Sequence, residues 1–245
     1  MRYPQDSVLP YDPGGDKEAE IEVMFDRIAP HYDRLTRFMS FGMDGFWRRR
    51  AVRALKSVNP RRILDVATGT GDFALLLWRK IGPDVLMGVD LSEHMLSIGR
   101  EKLRRKGLAD KIGLVRGDGK ALPFDGGSFD AVSVAFGVRN FKNLDRALRD
   151  MHRVLTPGGR LVILELSTPV RWPMKQLFIF YSHTVIPLLA RLFGEDKSAY
   201  AYLPRSIRAF PQAEVMSQRI ARAGFAQVSF RRLTLGLCTL YLAQK

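Results

Sequence analysis

From Arg61 to Leu166 the sequence alternates short runs rich in Val, Ile and Leu with longer segments of helical period, a pattern that predicts a parallel sheet with crossover helices. Strands are expected at residues 62–66, 85–90, 112–116, 129–135 and 160–166, with helices near 72–80, 93–106 and 144–155. Upstream, 17–39 and 46–56 read as two helices separated by Ser40-Phe41-Gly42, a helical cap ahead of the sheet. Beyond Pro169 an apolar, aromatic stretch of helical character covers 174–193, and a helix follows near 213–223. Two last apolar runs, 227–233 and 236–243, are joined by a very short connection and predict a closing hairpin. The expected fold is α/β, a doubly wound, mostly parallel seven-stranded sheet with an antiparallel C-terminal hairpin.

A chain of 245 residues, 46% hydrophobic, supports one substantial core and therefore one domain. Residues 1–16 hold Pro10, Pro13, Gly14 and Gly15 and lack the apolar core of a signal peptide, so a flexible arm is expected. The single cysteine, Cys238, excludes an intrachain disulfide and fits a cytoplasmic protein. A net charge of +14 favours polyanions, either nucleic acid or an anionic membrane. Clusters such as Arg48-Arg49-Arg50 and Arg104-Arg105-Lys106 lie near predicted helix ends or in connections, and solvated helix faces and favourable charges at helix C-termini account for most of them.

The segment from Ile63 to Asp72 is an apolar strand running into Gly69-Thr70-Gly71 and then a helix. Ligands of this architecture bind at the carboxyl ends of the strands, where glycine lets the backbone approach closely. The glycine pattern alone also satisfies a dinucleotide fingerprint. Asp65 and Asp72 flank the turn, however, and would repel a pyrophosphate while attracting the ammonium and sulfonium of S-adenosylmethionine. Asp90, roughly 20 residues past the turn, ends the second strand and suits the ribose hydroxyls. Asp118-Gly119 follows the third strand, with a carboxylate for the adenine amino group and room for its ring. No metal is expected.

These strand-end acids, together with Leu122-Pro123-Phe124-Asp125 and Leu155-Thr156-Pro157-Gly158-Gly159-Arg160, resemble class I methyltransferases, which have a Rossmann-like fold. Met24-Phe25-Asp26-Arg27-Ile28-Ala29-Pro30-His31-Tyr32-Asp33, Ser40-Phe41-Gly42, Phe136-Gly137-Val138-Arg139-Asn140 and Tyr202-Leu203-Pro204-Arg205 resemble the ubiquinone/menaquinone-biosynthesis C-methyltransferase family. Thr36 stands where that family often has asparagine, and Ala135 where some members have serine. The resemblance implies cofactor contacts at Thr70, Asp90, Asp118 and Gly119, and methyl transfer to a prenylated quinol, with demethylmenaquinol favoured by the closing segment Leu233 to Tyr241. It divides the chain into a cap (17–58), a cofactor-binding core (61–167), a substrate lid (170–210) and a C-terminal helix and hairpin (211–245).

Methylating an aromatic carbon needs an electron-rich ring, which a quinol supplies best as a phenolate. Arg139, beside Asn140 just beyond the fourth strand, is the cation expected to favour that anion, and His183 is a candidate general base. The stretch 172–193 is interrupted by Lys175, Gln176, His183 and Pro187, too broken to span a bilayer, and reads as a greasy lid over an isoprenoid tail. Transient contact with an anionic membrane is expected, nucleic acid is not, and a homo-oligomer is compatible with the sequence. The alternatives are a benzoquinol acceptor, an RNA methyltransferase and a nicotinamide-dependent dehydrogenase.

Overall fold

In the computed structural model, residues 4–12, 14–193 and 196–245 are described, except the side chains of 189, 190, 192 and 193. Residues 1–3 and 13 of the expected arm, and the side chains of Leu189 and Phe193 in the apolar stretch, thus lie outside the described residues. Helices α1 (Lys17–Ile28), α2 (Tyr32–Met39) and α3 (Met43–Lys56) precede the sheet. Then follow β1 (Arg62–Val66), α4 (Asp72–Ile81), β2 (Val85–Asp90), α5 (Glu93–Arg105), β3 (Ile112–Arg116), β4 (Phe129–Ala135), α6 (Leu144–Val154) and β5 (Leu155–Leu166). The chain ends with α7 (Met174–Phe180), a π turn (Tyr181–Val185), α8 (Ile186–Phe193), α9 (Lys197–Ala209), α10 (Glu214–Arg222), β6 (Ala226–Leu233) and β7 (Cys238–Gln244).

The seven strands lie in the order β3-β2-β1-β4-β5-β7-β6. The first five run parallel, and β7 and β6 pair antiparallel at the far edge. Because side chains alternate across a strand, each central strand feeds two cores. Leu64, Val66, Val132, Val134 and Ile163 pack with α6 and α10 on one face. Ile63, Ala131, Val162 and Leu164 pack with α3, α4 and α5 on the other.

Three expectations need correction. The sequence between 193 and 213 reads as a polar loop, yet the Asp196 carboxylate accepts from the Ser198 and Ala199 amides and starts a helix there, α9. The continuous helix at 17–39 is broken: Pro30 has no N–H to donate and crowds the preceding turn, so Ala29–His31 is a 3-10 turn that redirects α2. The described part of the N-terminal arm is packed rather than free. Gln5 and Leu9 are buried, Gln5 Nε2 donates to the Phe141 carbonyl at 3.2 Å, and Tyr11 bonds Asp196.

Candidate active site

The carboxyl ends of β1, β2 and β4 open into a cleft of about 790 Å³ roofed by α1, with Ile21 and Phe25 overhead. After β1 the chain turns through Gly69 to Gly71, whose positive φ of 77° starts α4 in a conformation that favours glycine. The turn is tied to the next strand because Gly69 N–H donates to Asp90 Oδ2 at 2.8 Å. Asp90 Oδ1 accepts from Ser92 N–H at 3.0 Å, while the Ser92 hydroxyl caps α5 through Met95 N–H. Burial raises the Asp90 carboxyl above its usual range, against hydrogen bonds from the Ser92 and Gly69 amides. Further along, Asp118 accepts from Lys120 N–H at 2.9 Å, and a Cβ on Gly119 would come within 3.0 Å of the Phe141 ring. The Phe141 ring can pack this close only because Gly119 has no side chain. Acid at β2, acid and glycine after β3, and an aromatic wall fit an adenosyl group.

A second, mostly apolar cleft of about 1700 Å³ lies between the cap and α7–α9. Phe25, Tyr32 and Phe136 line both cavities, so the two meet across an aromatic partition. Arg139 stands in the wall of the apolar cavity and is 7% exposed. Its Nη1 donates to Glu165 Oε1 at 2.8 Å, its backbone N–H donates to Glu165 Oε2, and a further Nη1 bond reaches the Phe136 carbonyl. Its Nε, also buried, has no hydrogen-bond partner within the protein. Burial opposes the Arg139 charge, but Glu165, Tyr32 and Tyr202 outweigh it and hold the pKa above the usual arginine value. Asn140 faces the first cavity instead, and its Oδ1 accepts from the Tyr202 hydroxyl at 3.0 Å.

Residues 14–245 match the ubiE/COQ5 methyltransferase family. The chain belongs to that family. It is 54% identical over 245 residues, all of both chains, to the demethylmenaquinone methyltransferase of Bacteroides fragilis. It is 42% identical to the ubiquinone/menaquinone biosynthesis C-methyltransferase UbiE of Geobacter sulfurreducens, across 94% of this chain and 90% of that one. A SAM-dependent methyltransferase from Thermotoga maritima shares the fold, with a TM-score of 0.60 at 20% identity over 91% of this chain and 98% of that one. The chain is an S-adenosylmethionine-dependent methyltransferase, and its sheet is the class I methyltransferase arrangement.

Within this methyltransferase, Gly69, Asp90, Asp118 and Gly119 line the first cleft, which fits an adenosyl group. Asp65, Thr70, Gly71 and Asp72 do not, and the physical reasons differ. Asp65 is opposite Ser133 in the sheet register, beneath the turn, where its carboxylate accepts from Ser133 Oγ at 2.7 Å and Thr68 Oγ1 at 2.8 Å. Burial pushes its carboxyl up to about 6, against those two hydrogen bonds. Thr70 is buried, and its hydroxyl donates to Asp33 Oδ1 at 2.5 Å beneath the cap. Asp72 binds Lys102 Nζ at 2.5 Å and lies 3.6 Å from Arg48, so its charge is compensated before a sulfonium could use it. The argument that Asp65 and Asp72 together select a cation is therefore corrected: neither carboxylate faces the cleft.

His183 is corrected as well. It is exposed on the π turn, outside the apolar cavity, with Nε2 2.8 Å from Arg208 Nη2, so it cannot reach a ring held there. Two residues of the enzyme were missed in the sequence. Glu165 is a single acid in the apolar strand Leu161 to Leu166, and the strand-end rule that selected Asp90 would have found it. Lys102, on α5, joins Asp33 of the cap to Asp72 of the turn at 2.6 and 2.5 Å, and nothing in its helical spacing signals that.

Proposed function

We propose that the enzyme transfers the methyl group of S-adenosylmethionine to a ring carbon of a prenylated naphthoquinol, converting demethylmenaquinol to menaquinol. The observation that carries this reading is Arg139, a buried cation in the wall of an apolar cavity that meets, across an aromatic partition, the cleft holding Asp90 and Asp118. The names of the relatives from Bacteroides fragilis and Geobacter sulfurreducens support a quinone-pathway acceptor.

The cofactor supplies an electrophilic methyl on a sulfonium. The protein must favour a nucleophilic ring carbon, and Arg139 does so by stabilising the phenolate that remains when the quinol hydroxyl gives its proton to solvent. As the ring carbon bonds the methyl, the sulfur–methyl bond breaks, and loss of the ring C–H proton to solvent restores the aromatic quinol. Glu165 orients that guanidinium, and Asn140 braces the cofactor side through Tyr202. Phe25, Tyr32 and Phe136 line up the two reactants and exclude water, and alignment alone supplies a large part of such a rate enhancement. Tyr32 acts here as a neutral wall and hydrogen-bonding group: burial raises its phenol above the usual value, against the fields of Arg139 and Arg48. The apolar remainder of the cavity, including Leu35, Met39, Phe178 and Ile186, receives the isoprenoid tail. Because such an acceptor dissolves in lipid, the enzyme works in contact with a membrane; no helix among the described residues is long and apolar enough to cross one.

The test is a comparison of initial rates with reduced demethylmenaquinone and with the reduced benzoquinone analogue of equal tail length. The expected result is a kcat/KM at least about tenfold higher for the naphthoquinol, the discrimination of a pocket contact worth about 1.4 kcal/mol. Equal or reversed preference would transfer the assignment to the benzoquinol.

A further inference from the structure

The mouth of the apolar cavity is ringed by side chains that water disfavours. Phe41, Leu177 and Phe180 line the cavity and yet are 73%, 54% and 59% exposed. Trp172, two residues before the cavity-lining Met174, is 79% exposed. Leu235, 73% exposed, tips a turn held to the cavity wall through Thr234, whose Oγ1 accepts from Trp47 Nε1 at 2.7 Å. Exposed apolar side chains gathered in one patch mark an interaction surface, whereas scattered ones do not.

Charge identifies the partner. The two segments that build most of this rim, residues 34–43 and 167–193, carry five cations, Arg34, Arg37, Arg171, Lys175 and Arg191, and no Asp or Glu. Elsewhere arginines commonly have carboxylate neighbours, as Arg104 and Arg105 do in Glu101 and Arg153 does in Asp150. Asp33 and Asp44, which bound the first segment, are already paired with Lys102 and Arg48, so the apolar, aromatic patch carries an excess of cations and matches an anionic bilayer: aromatic rings sit at the headgroup level and cations meet the lipid phosphates. A second copy of the chain presenting the same face would bring like charges together.

We propose that this rim is a docking surface for an anionic lipid bilayer, which places the cavity mouth in the headgroup layer so that a prenylated acceptor enters without crossing water. The proposal deepens the functional reading and rests on it for the identity of the cavity's guest. It also places the membrane contact on one cation-rich face rather than on the general excess of positive charge.

The experiment is co-sedimentation of the full chain, without acceptor, with vesicles of phosphatidylcholine alone or mixed with phosphatidylglycerol. Trp172→Ser and the double variant Arg171→Glu/Lys175→Glu are measured alongside, because none of these side chains lines either cavity. Wild type should bind the phosphatidylglycerol vesicles and release with salt. Trp172→Ser should bind on the order of tenfold more weakly, and the charge reversal more than about a hundredfold more weakly. Both variants should keep wild-type turnover on acceptor dispersed in detergent. Absence of vesicle binding by the folded wild type, or binding that both variants leave unchanged, would overturn the proposal. So would a dimer in analytical ultracentrifugation that Trp172→Ser dissociates, since a second copy would then occupy the rim. Vesicle binding without methyl transfer in detergent would instead remove the functional reading alone.

Discussion

Arg139 and Glu165 form a buried ion pair held at two points, with Nη1 donating to Oε1 at 2.8 Å and the Arg139 backbone N–H donating to Oε2 at 3.2 Å. Glu165 follows Leu164, the last residue of β5 paired with β4, and its side chain is fully buried, so the carboxylate fixes the guanidinium beside the partition between the two cavities.

Glu165→Gln keeps the shape and one acceptor but removes the charge that balances Arg139. Breaking a buried pair in this way should lower stability by about 3 kcal/mol, measured by urea unfolding. It should also lower kcat while leaving S-adenosylmethionine affinity within about twofold, since this pair lies outside the cleft that Asp90 lines. Unchanged turnover in the folded variant would show that Arg139 needs no such support.

Replacing Arg139 itself separates charge from geometry. Arg139→Leu should slow methyl transfer at least about a hundredfold near neutral pH, the scale of one lost electrostatic contact to a reacting oxygen. Its rate should recover partly as pH rises, because hydroxide then removes the quinol proton without help. Arg139→Lys should rescue poorly if the planar guanidinium orients the ring oxygen and well if charge alone suffices. A pH–rate profile at saturating cofactor reads all three, and wild-type rates in the Leu variant would return Arg139 to a purely structural pairing with Glu165.

Asp90→Ala should weaken cofactor binding by about 1.5–3 kcal/mol, the loss of charge-assisted bonds at the end of β2. Because Asp90 also accepts from Gly69 and Ser92 amides, a smaller loss of thermal stability should accompany it. Calorimetric titration with the cofactor measures the first effect and thermal unfolding the second; full affinity in a folded variant would move the ribose elsewhere.

Asp65 makes a prediction about pH. Its carboxyl rises from 3.8 to about 6 in the folded protein, so between those values the native state binds more protons than the unfolded state. Stability therefore falls as pH rises through that window, by about 3 kcal/mol at roughly 1.4 kcal/mol per unit. Asp65→Asn can still bond the Ser133 and Thr68 hydroxyls without a charge. It should lose this slope and match or exceed wild-type stability at pH 7. Parallel urea titrations across the window decide the matter, and an unchanged slope in the variant would exclude Asp65 as its source.

The sheet and the strand-end acids that line its first cleft were legible because they obey local rules. Apolar runs of strand length alternate with helical periods, and Asp90 and Asp118 stand where such strands stop. The break at Pro30 was equally visible in chemistry, although the apolar period carried through it. What the linear pattern could not supply was direction. Asp65 and Asp72 flank the glycine turn in sequence, yet the pleat sends Asp65 to Ser133 and the first turn of α4 sends Asp72 to Lys102. His183 has the right chemistry, but the phase of the π turn sends it outward to Arg208. Arg139 stands where its position beyond β4 implied, while its pairing with Glu165 joins residues 26 apart that only the folded sheet brings together.

The central claim is that a ring carbon of demethylmenaquinol, and not an oxygen, receives the methyl group. The direct measurement is mass spectrometry with fragmentation of the product formed from reduced demethylmenaquinone and methyl-labelled S-adenosylmethionine. The account predicts the label on the naphthoquinone ring, in a product that still oxidises to a quinone because both hydroxyls remain free. A methyl ether that resists oxidation, or no labelled quinone from an enzyme that binds the cofactor, would contradict it.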